Sequence, residues 1–388
     1  MVLLVLYRVS SLVTYPDEYF GMDATAYGVG VATHELLGRP GGTDLAVDYA
    51  QAHAMSHGGD AYAVADGLLK AVGISNFPFA TANTHPPTWE AIVLPLTLVK
   101  FNHAEQIFAF AMVLVYIATI ALIGVRWPLA IAGGIAVAVS MPGAYGLNNP
   151  VPIIGLGVAL AWRFRDQPLL AGLGIVLAAA PKSSGLVLLL PFVLSGRIKA
   201  AAFGVGFTAL LAAIPVAFQP DIWQRYLQAG VPAIAIVEAR SDNGAVLHLA
   251  QVHGFSNFLA AGVIVGAALL LAWASRDTFW PTVWLMVALL PIAWTYSLLT
   301  LLPIGVSILC RRPLPQWSAA CLVIAAGLTV GTLPAREWPT IVIPIVVALA
   351  YVSILAAPVL ESDFTMELVR PWLSKVPVLQ RRRLPGLV

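Results

Sequence analysis

Residues 146–201 read GLNNPVPIIGLGVALAWRFRDQPLLAGLGIVLAAAPKSSGLVLLLPFVLSGRIKAA. Apolar runs alternate here with very short polar elements: the basic hairpin Arg163–Arg165, the Pro181–Ser184 turn and the basic hairpin Arg197–Lys199. Helices that are apolar all round belong in lipid or in a large core. The whole chain decides between the two. It has 388 residues, 59% hydrophobic and only 10% charged, with a mean hydropathy of +0.85. A soluble domain carries about 25% charged residues. So few charges cannot cover a globular surface, and lipid must solvate much of the chain. The net charge of +2 is too small to suggest a nucleic-acid partner.

Working outward at about 20 residues per span, the expected membrane segments are 1–15, 104–124, 127–144, 149–163, 167–181, 184–196, 199–218, 255–274, 278–294, 297–310, 316–333 and 339–358. The first, MVLLVLYRVSSLVTY, is followed by no small-residue cleavage site and reads as a short span rather than a removed signal peptide. Segment 88–99 contains Pro95 and reads as interfacial or re-entrant, with a true span as the alternative. Arg126, Arg163, Arg165, Arg197, Lys199, Arg276, Arg311 and Arg312 then fall on one side, with Arg370, Lys375 and Arg381–Arg383 of the tail. That side is expected to be cytoplasmic. The expected protein is a single all-α, polytopic domain over 1–388. An outward loop occupies 16–103, a transmembrane bundle 104–358, and a basic cytoplasmic tail 359–388.

The carboxylates are distributed differently. Residues 16–87 hold Asp17, Glu18, Asp23, Glu35, Asp44, Asp48, Asp60 and Asp66 against Arg39 and Lys70. This loop is far longer than an ordinary connection, which marks it as functional. Within it, 44–56 and 60–72 each begin with Asp, a good N-cap, and carry an apolar face. Both are expected to be amphipathic helices on the membrane surface. The seven histidines also face outward. Cys310 and Cys321 show no disulfide or metal spacing and read as unpaired membrane thiols. His53 and His57 have helical spacing suited to a metal, but no third ligand accompanies them; a divalent metal is therefore unsupported and no cofactor is firmly implied.

Four stretches carry a family resemblance: TDLAVDYAQAHAMSHGGDAY (43–62), NTHPPTWEAIVLPL (83–96), residues 146–201, and SDNGAVLHL (241–249). In this order they resemble the GT-C superfamily of polyprenyl-phosphate-sugar-dependent glycosyltransferases, and within it the alpha-mannosyltransferase and arabinofuranosyltransferase branch. The resemblance implies a bundle of roughly 11–13 spans with a large first extracytoplasmic loop. It implies a polyprenyl-phosphate sugar donor, mannose favoured and arabinofuranose the alternative, and a glycolipid or polysaccharide acceptor among the membrane lipids. It places Asp44 at the acidic position, and Tyr62, Asn148, Asn243 and Tyr296 at substrate-facing positions. His85 stands where the family often has Tyr, and Tyr296-Ser297 stand where many relatives carry paired histidines.

The chemistry sets its own demands. Transfer from a lipid-phosphate sugar needs a base for the acceptor hydroxyl and a cation or N–H donor for the phosphate. Asp44 is the candidate base; a plain N-cap is the other reading. Asp48, one turn on, is a second catalytic acid or a solvated face residue, and Asp23 is a further candidate. Lys182 lies in a turn between apolar segments, where a lysine is costly. It is the candidate phosphate ligand, or else snorkels to headgroups. Arg240 and His85 are candidates for the same phosphate. Trp89, Trp223, Tyr226 and Trp294 read as interfacial anchors or stacking platforms. A transporter or flippase and a non-catalytic assembly partner are the other function classes; no internal repeat of the transporter kind is visible.

Overall fold

The computed structural model describes residues 43–74, 82–140, 148–239, 245–252, 254–275, 278–292, 297, 300 and 303. They are helical or turn, with no strand among them. The first span, the segments beyond 303, the tail, both cysteines and the candidates Asp23, Arg240, Asn243, Trp294 and Tyr296 lie outside the described residues.

Phe101–Leu122 (α4) and Ile198–Phe218 (α9) are long and apolar enough to cross a membrane. The shorter helices include Trp127–Ser140 (α5), Val151–Arg163 (α6), Pro168–Ala179 (α7), Leu189–Leu194 (α8), Val231–Glu238 (α11), Val246–Val252 (α12), Asn257–Ser275 (α13) and Phe279–Ala288 (α14); α13 packs on α14, and α14 on α8. Spatial order follows α5, α4, α6, α7, α9, each packed on the next. Two of the helix starts have a local cause. Pro150-Val151-Pro152 and Pro168 place proline in the first turn, where its missing N–H costs nothing. Phe110, Leu210 and Leu269 stay exposed on α4, α9 and α13, as side chains facing lipid do.

α6 and α7 meet through glycine. A Cβ on Gly157 would lie 2.5 Å from the Ala178 amide nitrogen and 2.6 Å from the Gly174 carbonyl. A Cβ on Gly174 would strike Ala161 and the Gly157 carbonyl in turn. Small residues let membrane helices approach backbone to backbone, where dispersion replaces the missing hydrophobic drive.

Several sequence expectations differ from the structure. Residues 184–196, expected as a span, form a 3-10 segment Ser183–Leu188 and the one-turn α8. Gly185 lies so close to the Ala178 carbonyl that a Cβ would overlap it, so this stretch leans on α7 rather than running as a separate helix. The helix expected from Asp60 begins at Ala65 (α2, Ala65–Ala71). Asp60 instead turns back, its Oδ1 accepting the Tyr62 amide at 3.0 Å. Finally, Thr43–Ser56 (α1) does not simply float an apolar face. Leu45, Ala46, Asp48, Tyr49, Ala50, Gln51, Ala52 and Met55 are all buried. It packs on α2, on Pro87–Val93 (α3) and on the 3-10 segment Leu94–Leu98.

Candidate active site

α1 presents Asp44 and Asp48 one turn apart on one face, and they differ sharply in environment. Asp48 is 1% exposed. Its Oδ1 accepts the Asn83 amide at 2.6 Å and faces His85 Nδ1 at 2.8 Å; its Oδ2 accepts Trp89 Nε1 at 2.7 Å. A buried carboxylate is tolerable when donors saturate it, and these donors do so. All three come from the stretch 83–89, the extended Pro-Pro element and the start of α3. The element is rigid because Pro86 and Pro87 fix its backbone. It is anchored at one end by Tyr62 Oη, which donates to the His85 carbonyl at 2.9 Å, and at the other by Thr88 Oγ1, which donates to the Ala180 carbonyl at 2.8 Å.

Asp44 is only partly buried. Its Oδ2 accepts Asn149 Nδ2 at 2.6 Å, and Asn149 is its only hydrogen-bond partner among the described residues. Asn149 is in turn fixed by the Val151 amide, which donates to its Oδ1 at 3.0 Å at the start of α6. Burial raises the Asp44 carboxyl above the usual range; Asn149, His85 and Lys182 pull it back, and the Asp48 charge adds to the rise.

Lys182 lies in the turn after α7, within electrostatic reach of Asp44. Its ammonium makes no hydrogen bond or ion pair among the described residues. Burial pushes it down to about 8, against the pull of Asp44. Lys182 and Ser184 also line a narrow cleft whose other walls include Val151, Ile154, Met286, Val287 and Leu290. His85 is held at Nδ1 by Asp48, and its Nε2 has no partner among the described residues. The α1 start, the α6 start, the α7 end and the Pro-Pro element therefore bring a carboxylate, a cation and an imidazole together.

Several contributors escaped the sequence reading. Asn148 was the expected substrate residue, yet Asn149 ties Asp44. Asn148 is fully buried at φ 49 with both side-chain polar atoms unbonded. Trp89, expected near an interface, is fully buried on Asp48. Glu90 is also fully buried, 3.4 Å from Asn83 Nδ2. Burial, and then the Asp48 charge, push its carboxyl well above the usual carboxylate range. The signal for Asn83, Trp89 and Glu90 was their crowding around one Pro-Pro pair. Tyr62 is buried and its hydroxyl serves the His85 carbonyl, with burial raising its pKa. His53 and His57 stack at 3.9 Å between ring centroids, and burial lowers the His53 pKa. No group of three or more metal-ligating side chains occurs among the described residues.

Residues 83–294, more than half of the chain, match the profile of glycosyltransferase family 87, and the chain belongs to that family. No curated protein and no solved structure matches it. Family and apolar helices together make the protein a membrane glycosyltransferase. The matched region takes in His85, Glu90, Asn149 and Lys182, while Asp44 and Asp48 precede it.

Proposed function

We propose that this family 87 glycosyltransferase moves a sugar, mannose first among the candidates, from a polyprenyl-phosphate donor to a glycolipid or polysaccharide acceptor. The reaction takes place at the outer face of the membrane, with Asp44 as general base. One observation carries the proposal. A partly buried carboxylate, tied through one oxygen only, faces a lysine ammonium that has no protein partner among the described residues.

The step balances simply. The acceptor hydroxyl gives its proton to Asp44 as its oxygen attacks the anomeric carbon. The bond from that carbon to the phosphate oxygen breaks, and the phosphate leaves with the electron pair. Lys182 meets the charge that grows on the leaving phosphate, and charge stabilisation of this kind is usually the largest single contribution. His85 Nε2 supplies a second contact to the phosphate, with Nδ1 oriented by Asp48. Asp48 acts through His85, as a positioning residue. Arg240, Asn243 and Tyr296 complete the proposed substrate contacts.

The test is transfer from labelled polyprenyl-phosphate mannose and polyprenyl-phosphate arabinose by purified protein, wild type beside Asp44→Asn. Transfer from the first donor supports the mannosyl reading; transfer from the second alone replaces it with the arabinosyl one. Absence of transfer from both ends the proposal. Cysteine labelling of the 376–388 tail in intact cells checks the sidedness, and an outside-accessible tail overturns it.

A further inference from the structure

A polar cavity of about 280 Å³ lies apart from Asp44 and Lys182. One wall is a single helical face. Ile222–Arg225 (α10) continues through the π-turn Tyr226–Gly230, and Asp221, Gln224, Arg225, Gln228 and Ala229 line the cavity from it. The facing wall is the turn Asp60–Tyr62. Arg225 joins the two walls: its Nη1 meets Asp60 Oδ2 at 2.8 Å and its Nε meets Asp221 Oδ2 at 2.8 Å. Tyr62, on the lining, also belongs to a separate apolar cluster with Met55, Ala61 and Ile222, against which Trp223 and Tyr226 pack. The walls are therefore held before any ligand arrives.

The free groups define the ligand. Gln224 and Gln228 are exposed, one helical turn apart, and their amides have no partners among the described residues. Each offers both donor and acceptor atoms. The local charge is one guanidinium against two carboxylates, a net negative balance that repels phosphate. Amides beside fixed carboxylates, with no excess positive charge, match a neutral molecule rich in hydroxyls. The volume sits near the lower end for ligand pockets, about 300 Å³, and so suits one sugar ring rather than a long chain.

Two links tie this cavity to the reaction site. Tyr62, on its lining, donates to the His85 carbonyl. Gly230 ends the π-turn against Asn83, the residue that holds Asp48; a Cβ there would lie 2.5 Å from the Tyr226 ring and 3.1 Å from the Asn83 carbonyl. π-Turns recur at functional sites. We propose that the cavity is an acceptor subsite, gripping one neutral sugar ring of the acceptor while a neighbouring hydroxyl lies at Asp44. This rests on the glycosyl-transfer reading above and adds which part of the acceptor is held, and by what.

The test is saturation-transfer NMR on the purified, full-length protein with a set of methyl glycosides at millimolar concentration and inorganic phosphate as competitor. The wild type and Asp44→Asn should both bind a glycoside, and phosphate should not compete. Gln224→Leu with Gln228→Leu should lose at least about tenfold in affinity, with an unchanged melting temperature because both residues are exposed. Glycoside signals that are absent from the wild type, unchanged in the double variant, or displaced by phosphate overturn the subsite. Binding is read without turnover. If glycosides bind in this glutamine-dependent way while neither labelled donor supports transfer, the subsite stands and the polyprenyl-donor reading falls. If transfer proceeds but binding ignores the glutamines, the reverse holds.

Discussion

Replacing Lys182 with methionine should make the protein more stable and less able to use its donor. The side chain stays unbranched, one atom shorter, and loses its charge. Burial has brought the ammonium from an ordinary 10.5 to about 8. Keeping it protonated in the folded state therefore costs about 3 kcal/mol relative to water. Part of that is recovered from residual solvent contact, so Lys182→Met should gain roughly 1–2 kcal/mol, or several degrees of melting temperature. The sign of the pH dependence follows. A lysine whose folded value lies below its unfolded value destabilises the fold at pH below about 8, and the penalty fades as pH rises towards 10.5. The wild type should thus become more heat-resistant across that window relative to Lys182→Met, and the two should converge at its top. Donor use should move oppositely. Loss of one charged hydrogen bond, about 1.5–3 kcal/mol, lowers kcat/KM for the donor roughly 10- to 150-fold. Lys182→Arg should recover part of it and keep activity above pH 8, where the wild type declines. Melting curves and donor kinetics of the three proteins from pH 6 to 10.5 decide the matter. A methionine variant that melts earlier than wild type, or keeps normal donor kinetics, refutes the reasoning.

Three further outcomes are expected. Asp44→Asn removes the proton acceptor but preserves its shape beside Asn149; single-turnover assays should show transfer reduced by at least about 10²-fold, with near-normal donor binding. Asp48→Ala leaves the donors of Asn83, His85 and Trp89 buried without an acceptor; at about 1–3 kcal/mol each the loss should approach the whole stability of the fold, and a variant that melts normally yet loses transfer would give Asp48 a direct chemical role instead. Gly157→Val should separate α6 from α7 and lower both melting temperature and donor use, since Asn149 and Lys182 sit at the ends of those two helices; full activity in this variant would disconnect the glycine contact from the site.

The sequence made the helices and the exposed chemistry legible, and left the buried chemistry hidden. The expected spans over 104–124, 149–163, 167–181 and 199–218 agree with α4, α6, α7 and α9 to within a few residues, because an apolar run bounded by charges and prolines leaves little choice. Lys182 stood out as a costly charge between apolar segments, and Asp44 through the acidic position of the resemblance. Asp48 was named beside Asp44, but its partners were not. Its donors lie 35, 37 and 41 residues away, and no periodicity reports a partner at that distance. Asn148 and Asn149 are chemically identical neighbours, and only the backbone turn decides which one reaches Asp44. The break at 184–196 depended on Gly185 nestling against Ala178, a contact between segments rather than a property of either.

The polar contacts of α1 also impose an order on synthesis. Asp48 has Asn83, His85 and Trp89 available 35 to 41 residues after itself, while the Ala180 carbonyl that anchors their stretch through Thr88 comes 92 residues after that threonine. Asp44 must wait for Asn149, 105 residues later. Until α6 and α7 have been made, Asp44 has neither the Asn149 amide nor the Lys182 charge beside it. Under the mechanism proposed above, competence for transfer therefore arrives only once the helical bundle has formed.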